Sequence, residues 1–185
     1  MKESDLYLVR KCQQGDKGAF ELLVIKYQRR IFNVILGVVR NRDIVEDLAQ
    51  ETFLNAYRSI GGFKGDSSFY TWIYRIAVNA SLNYLSKQKK AVFVDEGIME
   101  TEAVVPKSPA GSSPERSVQG SEFVSDLSRV MESLPEDIRV AVALREYEGL
   151  SYQEIADVTC SPVGTVRSRI FRGRAMLMAE LKDHV

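Results

Sequence analysis

Cysteine and histidine are nearly absent from this 185-residue chain, which holds only Cys12, Cys160 and His184. The two thiols are far apart and form no CxxC pair, and the histidine has no second ligand type clustered around it. A disulfide framework and a zinc site are therefore excluded, and a reducing cytosol is the default setting. Cys160 is expected to be a small buried residue at a turn between helices. No apolar run approaches the ~18 residues that a membrane span requires. The segment MKESDLYLVRKC lacks the apolar core of a signal peptide, so a soluble, cytoplasmic chain with no direct membrane insertion is expected. There is no Walker loop, no nucleophile–base–acid set and no group of carboxylates spaced for metal or general-base work, which sets aside an enzyme acting on nucleic acid. No catalytic residue, metal or cofactor is expected. Strand-type alternation is missing as well. Apolar residues recur instead at three-and-four spacing, which predicts an all-α fold.

Charge is balanced in total, with 25 basic and 25 acidic residues, but not in distribution. Residues 1–90 carry 15 basic and 9 acidic side chains, residues 91–120 carry 2 and 5, and residues 121–185 carry 8 and 11. Patches of one sign, rather than totals, steer a protein to phosphate. Of the five prolines, Pro106, Pro109 and Pro114 fall within 91–120, where helical periodicity is lost. This stretch is expected to be a flexible linker between two small helical domains, 1–90 and 121–185. In the first domain a helix begins within Asp5–Val9, and Gly15-Asp16 makes a turn. A helix over Ala19–Val39 ends at Asn41-Arg42-Asp43. Another follows over Ile44–Ile60, closed by Gly61-Gly62, and a long one runs over about Phe69–Lys87. In the second domain Ser121–Ser133 is helical, and Leu134-Pro135-Glu136 opens a helix reaching about Tyr147.

The most informative stretch is LSYQEIADVTCSPVGTVRSRIFRGRAML, Leu150–Leu177. Ser151 with Glu154 three residues later forms a capping box for a short helix. A tight turn falls near Thr159-Cys160. Ser161 is read as the cap of the next helix, with Pro162 at its first position. Val163, Val166, Ile170 and Leu177 share the inward face. Thr165, Arg167, Ser168, Arg169, Phe171, Arg172 and Arg174 are left outward, with no acid between Pro162 and Leu177. Two capped helices at a short turn, the second lined with arginine, predict a helix-turn-helix whose second helix enters the major groove. There an arginine can make two hydrogen bonds to guanine, worth roughly 1–3 kcal/mol of discrimination.

The first domain carries two further surfaces. The helix Ile44–Ile60 is expected to bury Val45, Leu48, Ala49, Phe53, Ala56 and Tyr57. It leaves out Asp47, Gln50, Glu51, Leu54 and Arg58, an acidic and amide surface suited to a basic partner helix. The segment 63–90 packs Phe63, Phe69, Tyr70, Trp72, Tyr74 and Tyr84 among Lys64, Arg75, Lys87, Lys89 and Lys90. Ile73, Ile76, Ala77 and Ala80 make its inward stripe, while Arg75, Asn79 and Asn83 share another face. Aromatics beside cations stack unpaired bases and amides read base edges, so this segment predicts a single-strand DNA surface.

The runs DLAQETFLNAYRSI, FKGDSSFYTWIYRIAVNASLNYL, LPEDIRVAVALREYEGLSYQEIA and PVGTVRSRIFRGRA together resemble the sigma factors of bacterial RNA polymerase. The resemblance is to the extracytoplasmic-function group and its sigma-E-like branch, and it covers nearly all of both domains in order. It implies that 1–90 is region 2 and 121–185 region 4. Asp47, Gln50, Glu51, Phe53 and Leu54 are then implied to grip a coiled coil of core RNA polymerase. The loop Phe63, Lys64, Gly65, Asp66, Ser67, Ser68 and Phe69 would take a base flipped from the minus-10 element, with Asn79 and Asn83 on the adjoining base-reading helix. Thr165, Arg167, Ser168, Arg169, Phe171 and Arg172 would read a duplex minus-35 element of the GGAAC type. The resemblance further implies a stress-response regulon and a membrane-anchored anti-sigma factor that holds the protein near the inner membrane. A dimeric helix-turn-helix regulator is the alternative. It would require an effector or phosphoacceptor domain at the N-terminus, and the aromatic-basic segment speaks against one. An adaptor that binds polymerase but not DNA conflicts with the basic second helix.

Overall fold

A computed structural model describes residues 2–95 and 129–181, and every regular element among them is helical. The first lobe contains α1 (Lys2–Gln13), α2 (Lys17–Val39), α3 (Arg42–Ser59), a 3₁₀ turn (Ile60–Gly62) and α4 (Phe69–Asp95). In the second lobe residues 129–133 are helical, followed by α5 (Glu136–Glu146), α6 (Tyr152–Thr159) and α7 (Val163–Leu181). Residues 96–120 of the expected linker, 121–128 of the helix expected after it, and His184 lie outside the described residues. Where the linker was expected to start, at Ala91, α4 instead continues to Asp95. The sequence offers no Gly or Pro to stop a helix there before Gly97.

Local chemistry sets the boundaries in the first lobe. Asp16 caps α2 by accepting from the Ala19 N–H at 3.2 Å. At the other end Arg40 adopts the left-handed conformation (φ 58°) and its N–H reaches the Leu36 carbonyl. Asn41 then caps α3 through the Asp43 N–H at 3.0 Å. The break between the helices is thus Arg40-Asn41; Arg42 and Asp43 are already helical, because Asn is a better cap than a breaker. Within α3, Val45, Leu48 and Ala56 are buried as expected, and Ala49 and Phe53 are half-buried. Tyr57 is instead exposed, resting edge-on against Phe20 with centroids 5.0 Å apart. The buried place goes to Thr52, whose hydroxyl donates to the Leu48 carbonyl at 2.7 Å and so loses no hydrogen bond on burial.

Gln13, at the end of α1, donates from Nε2 to the carbonyls of both Ile60 and Phe63 at 2.9 Å, tying α1 to the turn after α3. Ser68 caps α4: its hydroxyl accepts from the Thr71 N–H at 3.3 Å and pairs with the Thr71 hydroxyl at 2.7 Å. Beneath the loop between these anchors, Phe63, Phe69, Trp72 and Tyr27 form one aromatic cluster with centroids 5.2–6.1 Å apart.

The second lobe carries the expected capping box. Ser151 Oγ accepts from the Glu154 N–H at 3.2 Å, and the Glu154 carboxylate accepts from the Ser151 N–H at 2.8 Å. The turn falls at Cys160, which is left-handed (φ 49°) and exposed rather than buried. A turn residue that ends a helix this way points its side chain to solvent. Helix α7 begins at Val163, so Pro162 precedes the helix rather than opening it, and Ser161 lies one residue further out than expected. The Ser161 hydroxyl bonds the Thr159 carbonyl at 3.2 Å and accepts from Arg169 Nη1 at 2.9 Å. Val166 and Ile170 are buried and Val163 and Leu177 half-buried, as the periodicity predicts. Between them Gly173 is buried where α7 crosses α5: a Cβ there would lie 2.5 Å from Val142 Cγ2 and 2.8 Å from Ile138 Cγ2.

The two lobes share a core. Val140, Ala141, Leu144, Leu150, Ile155, Ala156 and Val158 belong to the same buried cluster as the first-lobe residues, with α5 against α2 and α6 against α4.

Two substitutions test this packing in opposite directions. Gly173→Ala should destabilise the protein by about 1–3 kcal/mol, because both obstructing atoms belong to branched core side chains. Cys160→Gly should stabilise it by roughly 0.5–1 kcal/mol, the left-handed penalty less the entropy of glycine. Urea denaturation followed by circular dichroism measures both.

Candidate nucleic-acid interface

The outward face of α7 is built by its own packing. With Val166, Ile170 and Gly173 committed inward, Arg167, Ser168, Phe171 and Arg172 project to solvent, and Phe171 is 75% exposed. An exposed phenylalanine between two arginines has no role in the core. Arg169 and Thr165 sit lower on the face, half-buried. Arg169 Nε pairs with Asp137 at 2.8 Å, and Arg174 pairs with Glu146 at 2.6 Å. The four arginines thus divide: Arg169 and Arg174 brace α7 against α5, and Arg167 and Arg172 are presented outward.

The loop after the 3₁₀ turn exposes Lys64, Gly65 and Asp66, with Ser67 and Ser68 half-buried. Gly65 is left-handed (φ 83°), a conformation that favours glycine. Phe63 and Phe69, expected within this surface, are buried, Phe69 to 2% exposure. They hold the loop from below. Asn79 and Asn83 are exposed on α4, one helical turn apart. Arg75, expected on the same face, is half-buried and donates from Nε to the Asp157 carbonyl of the second lobe at 3.0 Å. Ile73, Ala77 and Ala80 are buried as expected and Ile76 half-buried.

Tyr70 and Tyr74 also cross the lobe boundary. Tyr70 donates to Glu154, and Tyr74 donates to Glu148 Oε2 at 2.7 Å. Burial pushes the Glu148 carboxyl above its ordinary range, against the opposing influence of the Tyr74 hydrogen bond and the Arg30 charge. Nothing in the sequence pairs these residues; they are 74 to 84 positions apart.

A third surface lies between α2 and α3, an open groove of about 840 Å³ lined by Val24, Phe32, Ala49, Gln50, Phe53 and Leu54 among others. Leu54 is 55% exposed at its rim. Asp47 and Glu51 are exposed on α3 outside the groove lining. Phe20, Val24 and Phe32 make the opposite wall. Their helical spacing alone does not reveal this, because an apolar stripe on α2 does not tell a buried flank from a groove wall. No helix among the described residues is long and apolar enough to cross a membrane.

A helix-turn-helix with a free basic face, beside a helical lobe with an apolar groove, defines a two-lobed DNA-binding transcription protein. Comparison with known proteins agrees. Sigma-70 region 2 matches residues 23–91, and Sigma-70, region 4 matches residues 125–177. The chain is 45% identical over 177 residues to the RNA polymerase sigma-H factor of Pseudomonas aeruginosa, covering 94% of this chain and 91% of that one. It is 45% identical over 174 residues to the ECF RNA polymerase sigma-E factor of Escherichia coli K12, covering 92% and 91%. Among solved structures, CnrH in complex with the cytosolic domain of CnrY matches with a TM-score of 0.72 at 21% identity, over 98% of this chain and 99% of that one. The sigma factor RpoE of Bartonella quintana, in complex with the anti-sigma factor NepR, matches with a TM-score of 0.70 at 23% identity, over 88% and 96%. The chain belongs to the extracytoplasmic-function sigma factors of the sigma-70 family, sigma-E and sigma-H like. It directs transcription initiation and is not an enzyme.

The division among the arginines has a measurable consequence. Arg169→Ala should cost up to about 1 kcal/mol of stability, the usual worth of a partly exposed ion pair. Arg167→Ala and Arg172→Ala should leave stability within about 0.5 kcal/mol of the parent, as expected for surface positions. Thermal denaturation of the three variants checks the ranking.

Proposed function

We propose that residues 121–185 bind the minus-35 element as duplex, residues 1–95 bind core RNA polymerase and the minus-10 element as single strand, and residues 96–120 join the two. The observation that carries this reading is the free Arg167–Ser168–Phe171–Arg172 face on α7, placed directly after a capped turn. Arginine forks can bond guanine O6 and N7 in the major groove, and Phe171 can lie against a thymine methyl. The sequence sought is of the GGAAC type. In the first lobe, the exposed loop Lys64–Asp66 with Ser67 and Ser68 receives a flipped base, while Asn79 and Asn83 bond base edges. Binding the extruded base offsets an unstacking cost of a few kcal/mol, so the duplex opens without ATP hydrolysis. The aromatic cluster of Phe63, Phe69 and Trp72 supports that loop.

Core polymerase docks on α3 in this reading. Gln50, Phe53 and Leu54 offer an apolar groove, and Asp47 and Glu51 beside it attract a basic partner helix. The protein acts in the cytoplasm on stress-response genes. An anti-sigma factor restrains it, as one is bound to the Bartonella quintana relative, and the sigma-E-like resemblance implies that this partner is anchored at the inner membrane.

Run-off transcription with purified core RNA polymerase and a GGAAC-type promoter tests the reading. A transcript that requires this protein and is lost in Arg172→Ala is expected. A transcript that persists undiminished in Arg172→Ala would overturn the assignment of this face of α7 to the minus-35 element.

A further inference from the structure

Glycine inside an α-helix is costly, because it gives up more backbone freedom than any other residue and offers no side chain to pack. Four glycines among the described residues carry that cost, Gly18 and Gly37 in α2 and Gly164 and Gly173 in α7. Three have a reason inside the protein. A Cβ at Gly173 would lie 2.5 Å from Val142 Cγ2, and one at Gly37 would lie 3.0 Å from Ala143 Cβ. At Gly18 it would touch the carboxylate of Asp16, 3.4 Å away, which caps α2. Gly164 has no such reason. It is exposed, it has no left-handed φ, and no atom outside its own stretch of helix comes within 4 Å of where a Cβ would stand.

Its place on α7 supplies one. Gly164, Ser168 and Phe171 follow at i, i+4 and i+7 and make the centre line of the outward face, with Arg167 on one flank and Arg172 on the other. Along that line the relief falls toward the N-terminus. Phe171 stands out at 75% exposure, Ser168 turns its hydroxyl back to the Thr165 carbonyl at 2.8 Å, and Gly164 has no side chain. The first turn of α7 therefore presents bare backbone at the centre of the face. A recognition helix enters the major groove with its N-terminal residues against the base edges. The groove is about 12 Å wide and a helix with its side chains about 10–12 Å across, so the fit is close. A side chain on the centre line then decides how deep the helix goes.

We infer that Gly164 sets the depth at which α7 reads DNA. Its missing side chain lets the first turn come against the base-pair edges of the minus-35 duplex, which brings Arg167, Ser168, Phe171 and Arg172 within reach of the bases. Gly164 meets the floor of the groove rather than its phosphate walls, because it lies on the centre line and not on a flank. The inference rests on the assignment of this face of α7 to the minus-35 element.

Two substitutions in the full chain test it. Gly164→Ala and Gly164→Leu each put a good helix former where the protein has room for one, so the urea midpoint should equal or exceed the parent's. Fluorescence anisotropy with a GGAAC-type duplex and with a duplex of permuted sequence reads recognition. Affinity for the GGAAC-type duplex should fall by at least about fivefold in Gly164→Ala and about fiftyfold in Gly164→Leu, with the permuted duplex bound as the parent binds it. A residue that served only folding would not move stability and recognition in opposite directions. Unchanged binding of the GGAAC-type duplex in either variant would overturn the inference. So would an equal loss on both duplexes, which would put Gly164 against phosphate, or a lowered urea midpoint, which would show that the fold itself needs the glycine. Arg172→Ala checks the underlying reading. If it binds the GGAAC-type duplex as tightly as the parent, or if the parent does not distinguish the two duplexes, the assignment of α7 fails and the role of Gly164 falls with it.

Discussion

The aromatic cluster of Phe63, Phe69, Trp72 and Tyr27 is the contact on which the rest of the first lobe depends. It joins the end of the 3₁₀ turn, the start of α4 and the middle of α2, and it does so with rings that bury large apolar area in fixed orientations. Once those rings are seated, the loop between Phe63 and Phe69 can only arch outward. α4 leaves at one angle, with Tyr70, Tyr74 and Arg75 aimed at the second lobe. Asp5 reinforces the same point from α1: it is buried and accepts from the Tyr27 hydroxyl at 2.7 Å and from Lys26. Removing Asp5 would leave the buried Tyr27 hydroxyl unpaired, costing about 1–3 kcal/mol.

The second lobe solves a different problem. Helix α6 is only eight residues long, too short to be stable alone. It survives because both of its ends are closed, by the capping box at Ser151 and by the left-handed Cys160, and because Ile155, Ala156 and Val158 are buried. The glycine crossing at Gly173 then lets α7 settle deeply on α5. The deeper it sits, the more fully the opposite face of α7 stands clear.

Much of this was legible in the sequence. The capping box, the position of the turn and the inward stripe of α7 all rest on local spacing, which the chain displays directly. The departures have separate causes. Tyr57 was placed inward because tyrosine is larger and more apolar than Thr52, yet a threonine that bonds the carbonyl four residues back is cheaper to bury. Cys160 was placed inward because free cysteine usually is, yet the turn geometry dictates its direction. Phe63 and Phe69 were placed on the DNA surface because aromatics beside cations look alike whether they stack on a base or on each other. Contacts between the lobes were out of reach altogether. Tyr74 and Glu148, or Gly37 and Ala143, carry no periodic or motif signal, since their pairing depends on how two finished lobes meet.

The bond from one glutamine to two carbonyls has a practical side. Gln13 is the last residue of α1 and holds both Ile60 and Phe63. It lies upstream of residues 23–91, the span matched by Sigma-70 region 2. A fragment trimmed to that span would lose all of α1 and the first turns of α2, and with them the clasp on the 3₁₀ turn and the loop that follows it. Boundaries chosen by family alignment would therefore yield a piece whose Phe63–Phe69 loop is set differently from that of the whole chain.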